Sequence, residues 1–397
     1  MKKFKSKKRL ASVLLVMLSI IMLLAACGNS SEEKPSDPDA GANTIKIGGL
    51  APLSGNVSVY GIAVNNAVKL AIKEINDNGG VLGKQVEYIV YDTKGDSVES
   101  TNAYNRLVSD DKIVALIGDV TSGPSIAVAQ RAARDNMPMI TASGTAADIT
   151  KQGSNVFRAC FIDEVQGDLM GAFTANELKL NKAAILYNVS DNYSQGLTDA
   201  FVARCKTENI EIVAEENYSD GDKDFKTQLT RIAAADPEVL YVPNYYNDNI
   251  MIVRQARQVG LDVAFLGGDG WDGVLSENVI GADKNDADGS YFTNHYAPDD
   301  PNDSLQSFLS AYREAYDIEA VSFAALGYDA ARMMMQAIED AGSTDSQAII
   351  DAMKNIEFEG ITGDITFDDN NNPIKTVSII SIEDGEYTLF AKMRSDD

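Results

Sequence analysis

From Thr44 onward, short apolar runs alternate with stretches of helical period, and this alternation leaves few folds open. The first run is Ile45-Lys46-Ile47-Gly48-Gly49-Leu50. The next stretch sets Val64, Val68, Ala71, Ile72 and Ile75 on one helical face before Asn78-Gly79-Gly80 stops it. The order continues with a strand over 86–91, a helix over 101–109, a strand over 114–118, a helix over 125–134 and a strand over 137–141. It resumes with strands over 183–187, 210–214, 239–242 and 264–267, separated by helices through 201–206, 225–234 and 250–259. Apolar strands that each lead into a helix belong in parallel sheets covered on both faces.

Two such runs call for two sheets. Roughly 370 residues beyond the N-terminal leader also exceed what one hydrophobic core holds. The tail from Tyr291 breaks the alternation, with helices over 303–316, 323–341 and 346–354 and strands around 365–367 and 377–382. A tail of this kind is expected to return and complete both halves. The prediction is an α/β fold of two Rossmann-like lobes with parallel sheets, joined by a hinge of three crossovers. The lobes are expected over 44–162 with 293–368, and over 163–292 with 369–397.

The leader carries Lys2, Lys3, Lys5, Lys7, Lys8 and Arg9, then an apolar run from Leu10 broken only by Ser12 and Ser19, and closes on Ala25 and Ala26. That order predicts an export signal over 1–26, too short for a lasting membrane span. Leu24-Ala25-Ala26-Cys27 resembles the bacterial lipobox, whose Cys becomes the lipid-modified first residue of the mature chain. The resemblance implies lipidation at Cys27, a flexible Ser/Glu/Pro/Asp tether over 27–43, and attachment to the outer face of the membrane of a Gram-positive cell. Stable anchoring takes two acyl chains or more. An ordinary signal peptide with an incidental Cys, and an uncleaved anchor, are the alternatives.

Charge narrows the partners. Lys and Arg number 34 against 59 Asp and Glu, for a net charge of −25, and loss of the leader removes six further cations. Nucleic acid is excluded by that balance, and an anionic lipid surface repels it, which leaves attachment to the acyl group. Beyond Cys27 only Cys160 and Cys205 occur, without C-x-x-C or metal-ligand spacing, so neither metal nor cofactor is expected. The two read as plain buried thiols, with a disulfide as the alternative. His295 is the sole histidine, which removes most histidine-based chemistry. Asp220-Gly221-Asp222-Lys223-Asp224 opens like a calcium loop, but Phe225 replaces its Gly and Arg231 its final Glu. No G-x-S-x-G elbow occurs, so no enzyme is predicted.

Polar residues instead cluster just past the strands' carboxyl ends, the edge where open α/β sheets bind ligands. Tyr60 follows the first strand; Ser122-Gly123-Pro124 and Ser143-Gly144-Thr145 follow the third and fourth; Tyr193, Tyr245 and Asp269 follow strands of the second half. Hydroxyls and N–H groups at helix starts favour an anion, and with no Arg or Lys beside them a carboxylate fits better than a phosphate. Asp269, within Gly267-Gly268-Asp269-Gly270-Trp271, suits an ammonium. Together these describe a zwitterion site between two lobes. The same residues also have plainer uses. The turns serve as helix caps, Asp269 as a solvated turn acid, Tyr60 and Tyr193 as loop covers, and Phe323 as core beside Leu326 and Ala330. Trp271 is costly to expose unless something covers it.

The chain resembles the extracytoplasmic solute-binding proteins of branched-chain amino acid ABC importers, the leucine/isoleucine/valine-binding group, over 44–390. The resemblance is carried by Ala51-Pro52-Leu53-Ser54-Gly55 with Tyr60-Gly61, and by Ile75-Asn76-Asp77-Asn78-Gly79-Gly80-Val81-Leu82-Gly83. Further matches are Ile117-Gly118 with Thr121-Ser122, Asp222-Lys223-Asp224-Phe225, and Arg254-Gln255-Ala256-Arg257-Gln258-Val259-Gly260-Leu261. It implies the type I periplasmic-binding-protein fold, with Ser122, Thr145 and the backbone at Ser143 and Gly144 holding a ligand carboxylate. Tyr245 and Asp269 would hold its ammonium, and Tyr60, Tyr193 and Phe323 would close around its side chain, with Trp271 a separate candidate for ligand contact because a loop indole needs a cover. Asp269 stands where Glu is usual, Trp271 where small residues are frequent, and Ser143-Gly144 where small apolar residues are common, so the preferred side chain stays open. The implied protein is a monomeric, membrane-tethered receptor delivering an aliphatic amino acid to a permease. A sensing module of the same fold, or a binder of aromatic amino acids or short amides, is the alternative.

Overall fold

Two sheets organise the chain in the computed structural model, which describes residues 44–281 and 283–394. The leader, the tether with Cys27 and the last three residues of the second predicted lobe lie outside the described residues. The first sheet contains β1 (Thr44–Ala51), β2 (Gln85–Asp92), β3 (Ala115–Ile117), β4 (Met139–Thr141) and β5 (Val156–Arg158), in the order β2-β1-β3-β4-β5. β1 pairs with β3, β3 with β4 and β4 with β5, all parallel. β3, β4 and β5 are short and wholly buried, which is why they read as unbroken apolar runs.

The second sheet begins with β6 (Lys182–Asn188), β7 (Glu211–Tyr218), β8 (Val239–Tyr241), β9 (Ala264–Gly267) and β10 (Ser290–Asn294), ordered β7-β6-β8-β9-β10 with parallel pairs throughout. A small hairpin, β11 (Phe358–Gly360) with β12 (Gly363–Ile365), stands apart from both sheets. β13 (Thr376–Glu383) and β14 (Glu386–Arg394) then extend the second sheet beyond β10 as antiparallel strands. The type I periplasmic-binding architecture is thus present, with an antiparallel edge that the parallel expectation did not include.

The helices alternate with the strands: α1 (Ser58–Asp77), α2 (Ser97–Arg106), α3 (Ser122–Asp135), α4 (Asp163–Asn176), α5 (Asn192–Glu208), α6 (Lys226–Ala234), α7 (Tyr246–Gln258) and the short α8 (Glu277–Ile280). α9 (Asp303–Tyr316), α10 (Ser322–Ala341) and α11 (Ser346–Lys354) follow β10. α2 starts four residues before the predicted Thr101, because Asp96 caps it by accepting from Val98 and Glu99 N–H. The sequence pattern gives no sign of α4. Gly167 and Gly171 look like helix breakers, yet both lie against α5: a Cβ on Gly167 would sit 2.5 Å from the Leu197 carbonyl oxygen, and one on Gly171 2.7 Å from Arg204 Cβ. The two helices need these glycines to approach so closely.

Between the sheets the chain runs through 159–162, 295–302 and 366–375. Two of these crossovers are tied together. Lys375 Nζ donates to the Ala159 carbonyl at 3.0 Å and also to Thr362 Oγ1, while Asp329 on α10 accepts from Ile361 N and Thr362 N at 3.0 Å each. Burial draws the Lys375 ammonium down to about 8, against the pull of Asp329. Cys160 and Cys205 are free and buried, and burial pushes both thiols up to about 12.

Candidate functional site

The hydroxyl turns after β3 and β4 lock into each other. Ser122 opens α3, and its Oγ accepts from Ala146 N at 3.2 Å; Ser143 Oγ donates to the Val120 carbonyl at 2.8 Å. Gly144 N donates to Thr141 Oγ1 at 2.9 Å, and a Cβ on Gly144 would come within 2.7 Å of Ile149 Cδ1, so a larger residue here would have to push the Ile149 side chain aside. The first N–H groups of α3 have no intrahelical acceptor, as at every helix start. Thr121, at the cap position, makes no side-chain cap bond, and the Ser122 hydroxyl links two turns rather than capping its own helix.

Sequence reading found no cation beside these turns; the fold brings one. Arg158, at the end of β5, is wholly buried and forks onto the Gly144 and Ala146 carbonyls at 2.8 Å each. Its charge is spent on backbone oxygens, so it fixes the shape of the turn from behind. Thr145 is buried beside Asp163, the first residue of α4, whose N–H donates to the Thr145 carbonyl at 3.2 Å.

The second lobe contributes the acid. A single 3-10 turn, Asp269–Trp271, follows β9, and Asp269 is 1% exposed. Its N–H donates to Gln166 Oε1 at 2.8 Å; Oδ1 accepts from the Tyr193 hydroxyl at 2.9 Å; Oδ2 lies 3.0 Å from His295 Nε2. Asp269 is therefore a buried, oriented acceptor and not a solvated turn residue. Tyr193 sits near the start of α5, where Asp191 caps the helix, and its oxygen also accepts from Gly270 N at 2.7 Å. The Tyr245 ring stacks on Tyr193 with centroids 4.8 Å apart.

Tyr60 joins the halves. From α1 it donates to the Gly270 carbonyl at 2.6 Å and accepts from Tyr246 N at 3.2 Å, and its ring stacks on Phe323 at 3.9 Å. Phe323 thus serves the core of α10 and the Tyr60 wall at once. Burial pushes the hydroxyls of Tyr60, Tyr193 and Tyr245 well above the ordinary phenol value, with nearby carboxylates adding to it, so all three stay protonated. Trp271 lies behind the site. Its indole is wholly buried against Gly267, with Nε1 donating to the Val242 carbonyl at 2.8 Å.

Four residues that sequence reading left out complete the site: Arg158, Asp163, Gln166 and His295. Burial, together with the charge of Asp269, pushes the Asp163 carboxyl well above the carboxylate range, against the influence of the neighbouring Thr145. The folded chain then holds a proton that the unfolded chain has released, so this group's contribution to stability is full below the ordinary carboxylate pKa and falls as pH rises above it. Asp163→Asn is expected to raise Tm at neutral pH, with the gain vanishing at acid pH, as read by scanning calorimetry. An equal loss at both pH values would contradict this.

Fold and site define a class: a two-sheet α/β binding protein with an anion-favouring turn past the strands of one sheet and a buried acid past those of the other. The chain belongs to the periplasmic binding protein family, whose sequence model matches residues 44–386, and within it to the group of the Leu/Ile/Val-binding proteins. It is similar to a Leu/Ile/Val-binding protein of Rhizobium johnstonii, at 33% identity over 81% of this chain and 87% of that one. A leucine binding protein from Thermotoga maritima superposes with a TM-score of 0.83 at 32% identity, covering 89% of this chain and 99% of that one. A branched-chain amino acid transporter substrate binding protein from Streptococcus pneumoniae, solved in complex with isoleucine, gives 0.82 at 33% identity, over 88% and 99%.

Proposed function

We propose that the chain binds a free aliphatic amino acid between its lobes and presents it to the permease of an ABC importer, without catalysis. What supports this is the placing of two unlike polar groups at the strand ends of the two sheets. Buried Asp269, held by Tyr193 and His295, offers an ammonium its acceptor, while the Ser122 and Ser143–Thr145 turns offer hydroxyls and N–H groups to a carboxylate. The names of the relatives support the side-chain class: one structure holds isoleucine, and a Pseudomonas aeruginosa relative, 28% identical, is named for leucine, isoleucine, valine, threonine and alanine. The lipobox-like leader supports a tethered, extracytoplasmic receptor. Tyr245 completes the ammonium side in this reading, and Tyr60, Tyr193 and Phe323 form the side-chain wall.

At about −1 kcal/mol per heavy atom or better, a leucine-sized ligand reaches submicromolar affinity only when enclosed, so closure is part of binding. Ligand bridging the lobes shifts the population toward the closed form that a transporter reads. Tyr60→Phe keeps the stack on Phe323 and deletes the bonds to Gly270 and Tyr246. It is expected to weaken binding about fivefold and to raise the open fraction in small-angle scattering. An unchanged scattering profile with unchanged affinity would contradict the latch. The function is tested by calorimetry of the purified chain against all amino acids, including aromatic ones, and short amides. Submicromolar binding of leucine, isoleucine or valine is expected; binding of none of these would sink it.

A further inference from the structure

We propose that His295 is a positioning residue for Asp269: its neutral imidazole donates from Nε2 to Oδ2 and sets the plane in which the carboxylate meets a ligand ammonium. The inference rests on the reading of Asp269 as the ammonium partner. His295 follows β10, 26 residues beyond the acid, and its side chain is fully buried with Nε2 3.0 Å from Oδ2. The ring is held from two directions. It stacks on Phe161 of the first crossover at 3.9 Å and 20°, and its backbone N–H donates to Asn294 Oδ1 at 2.9 Å. Asn294 is itself fixed, donating to Asp272 Oδ2 at 3.1 Å.

Hydrogen-bond chemistry assigns the tautomer. An ionised carboxylate only accepts, so Nε2 carries the hydrogen and Nδ1 is bare. Nδ1 is buried with no hydrogen-bond partner among the described residues, so an imidazolium would bury a second N–H there without an acceptor. The charged groups that act on the ring are Asp269 and Lys375. Burial holds the imidazole below its ordinary value, aided by Lys375 and opposed by Asp269. An imidazolium would also compete with the ligand for the one charge that Asp269 supplies. The neutral ring orients without competing.

Each carboxylate oxygen offers two lone-pair directions. Tyr193 occupies one on Oδ1 and His295 one on Oδ2, which leaves a remaining site on each oxygen for an ammonium. Asp, shorter than Glu, has little reach with which to correct a misaimed carboxylate, so a fixed donor on each oxygen matters more here.

The test combines two substitutions with one spectrum. His295→Leu fills the space beside Phe161 without a donor and is expected to weaken leucine binding about tenfold; His295→Gln keeps an N–H donor and should restore binding to within about threefold of wild type. A purely space-filling role predicts the reverse ranking, and that result would overturn the proposal. Because the chain has one histidine, an untagged, 15N-labelled sample gives a single imidazole pattern. It should report a neutral Nε2–H tautomer at pH 7, whereas the Nδ1–H tautomer would overturn the pairing. If His295→Leu does not fold, the Gln variant and the spectrum decide. If wild type binds no amino acid, the functional reading fails, and the tautomer alone then decides whether His295 orients Asp269.

Discussion

Asp269→Ala is expected to weaken binding of the preferred amino acid by about 1.5–3 kcal/mol or more, roughly tenfold to beyond a hundredfold. The loss has three sources. The ligand ammonium would enter a buried site without its anionic acceptor, the Tyr193 hydroxyl would lose the partner at 2.9 Å, and the His295 Nε2–H the one at 3.0 Å. Tyr193 would still receive Gly270 N, so the aromatic wall and the fold should persist, which circular dichroism would check. Calorimetry reads the affinity. An unchanged value would remove Asp269 from the site and, with it, the zwitterion reading.

Arg158→Ala is expected to be the most damaging change to stability, at about 3–5 kcal/mol. It empties a wholly buried position and strips the charged donors from the Gly144 and Ala146 carbonyls, each bonded at 2.8 Å. Cys160 Sγ, 3.2 Å from the Gly144 oxygen, is a weak substitute. Lysine should not rescue it, because an ammonium cannot reproduce the fork that spans two carbonyls. Urea unfolding measures the effect, and a loss under about 1 kcal/mol would show that the turn holds its shape unaided. The variant should also bind ligand less well, since the turn it props carries Ser143 and Thr145.

How far the sequence could be read follows from the range of the forces involved. The strands β3, β4, β8 and β9 were visible because burial on both faces makes each a continuous apolar run, a local signal. α4 was hidden, since it is buried on most sides, carries no single apolar stripe, and keeps two glycines for contact with α5. Ser122, Gly144, Thr145 and Asp269 stood out because strand ends are where α/β folds place ligands. Their supports did not. Gln166 meets Asp269 across 103 residues, and His295 meets it across 26, through pairings that no spacing rule encodes. A charged Arg158 closing the otherwise apolar Val-Phe-Arg run was the one available clue, and a lone cation there reads equally well as a strand end.

The crossovers bear on the order in which the chain can fold. α10, which packs along α1, begins 264 positions after that helix does, and β13 joins β10 only after more than eighty intervening residues. Neither sheet is served by one contiguous stretch of chain: the first half waits for α10, and the second sheet for β13 and β14, the last strands to be made. Contacts this distant slow folding, because long loops must close before the pairings that reward them form. An N-terminal fragment ending at β10 would carry a first lobe without α10 and a second sheet without its last two strands. Completion of both halves therefore depends on the C-terminal third of the chain, and the second sheet gains its last strands only at the very end.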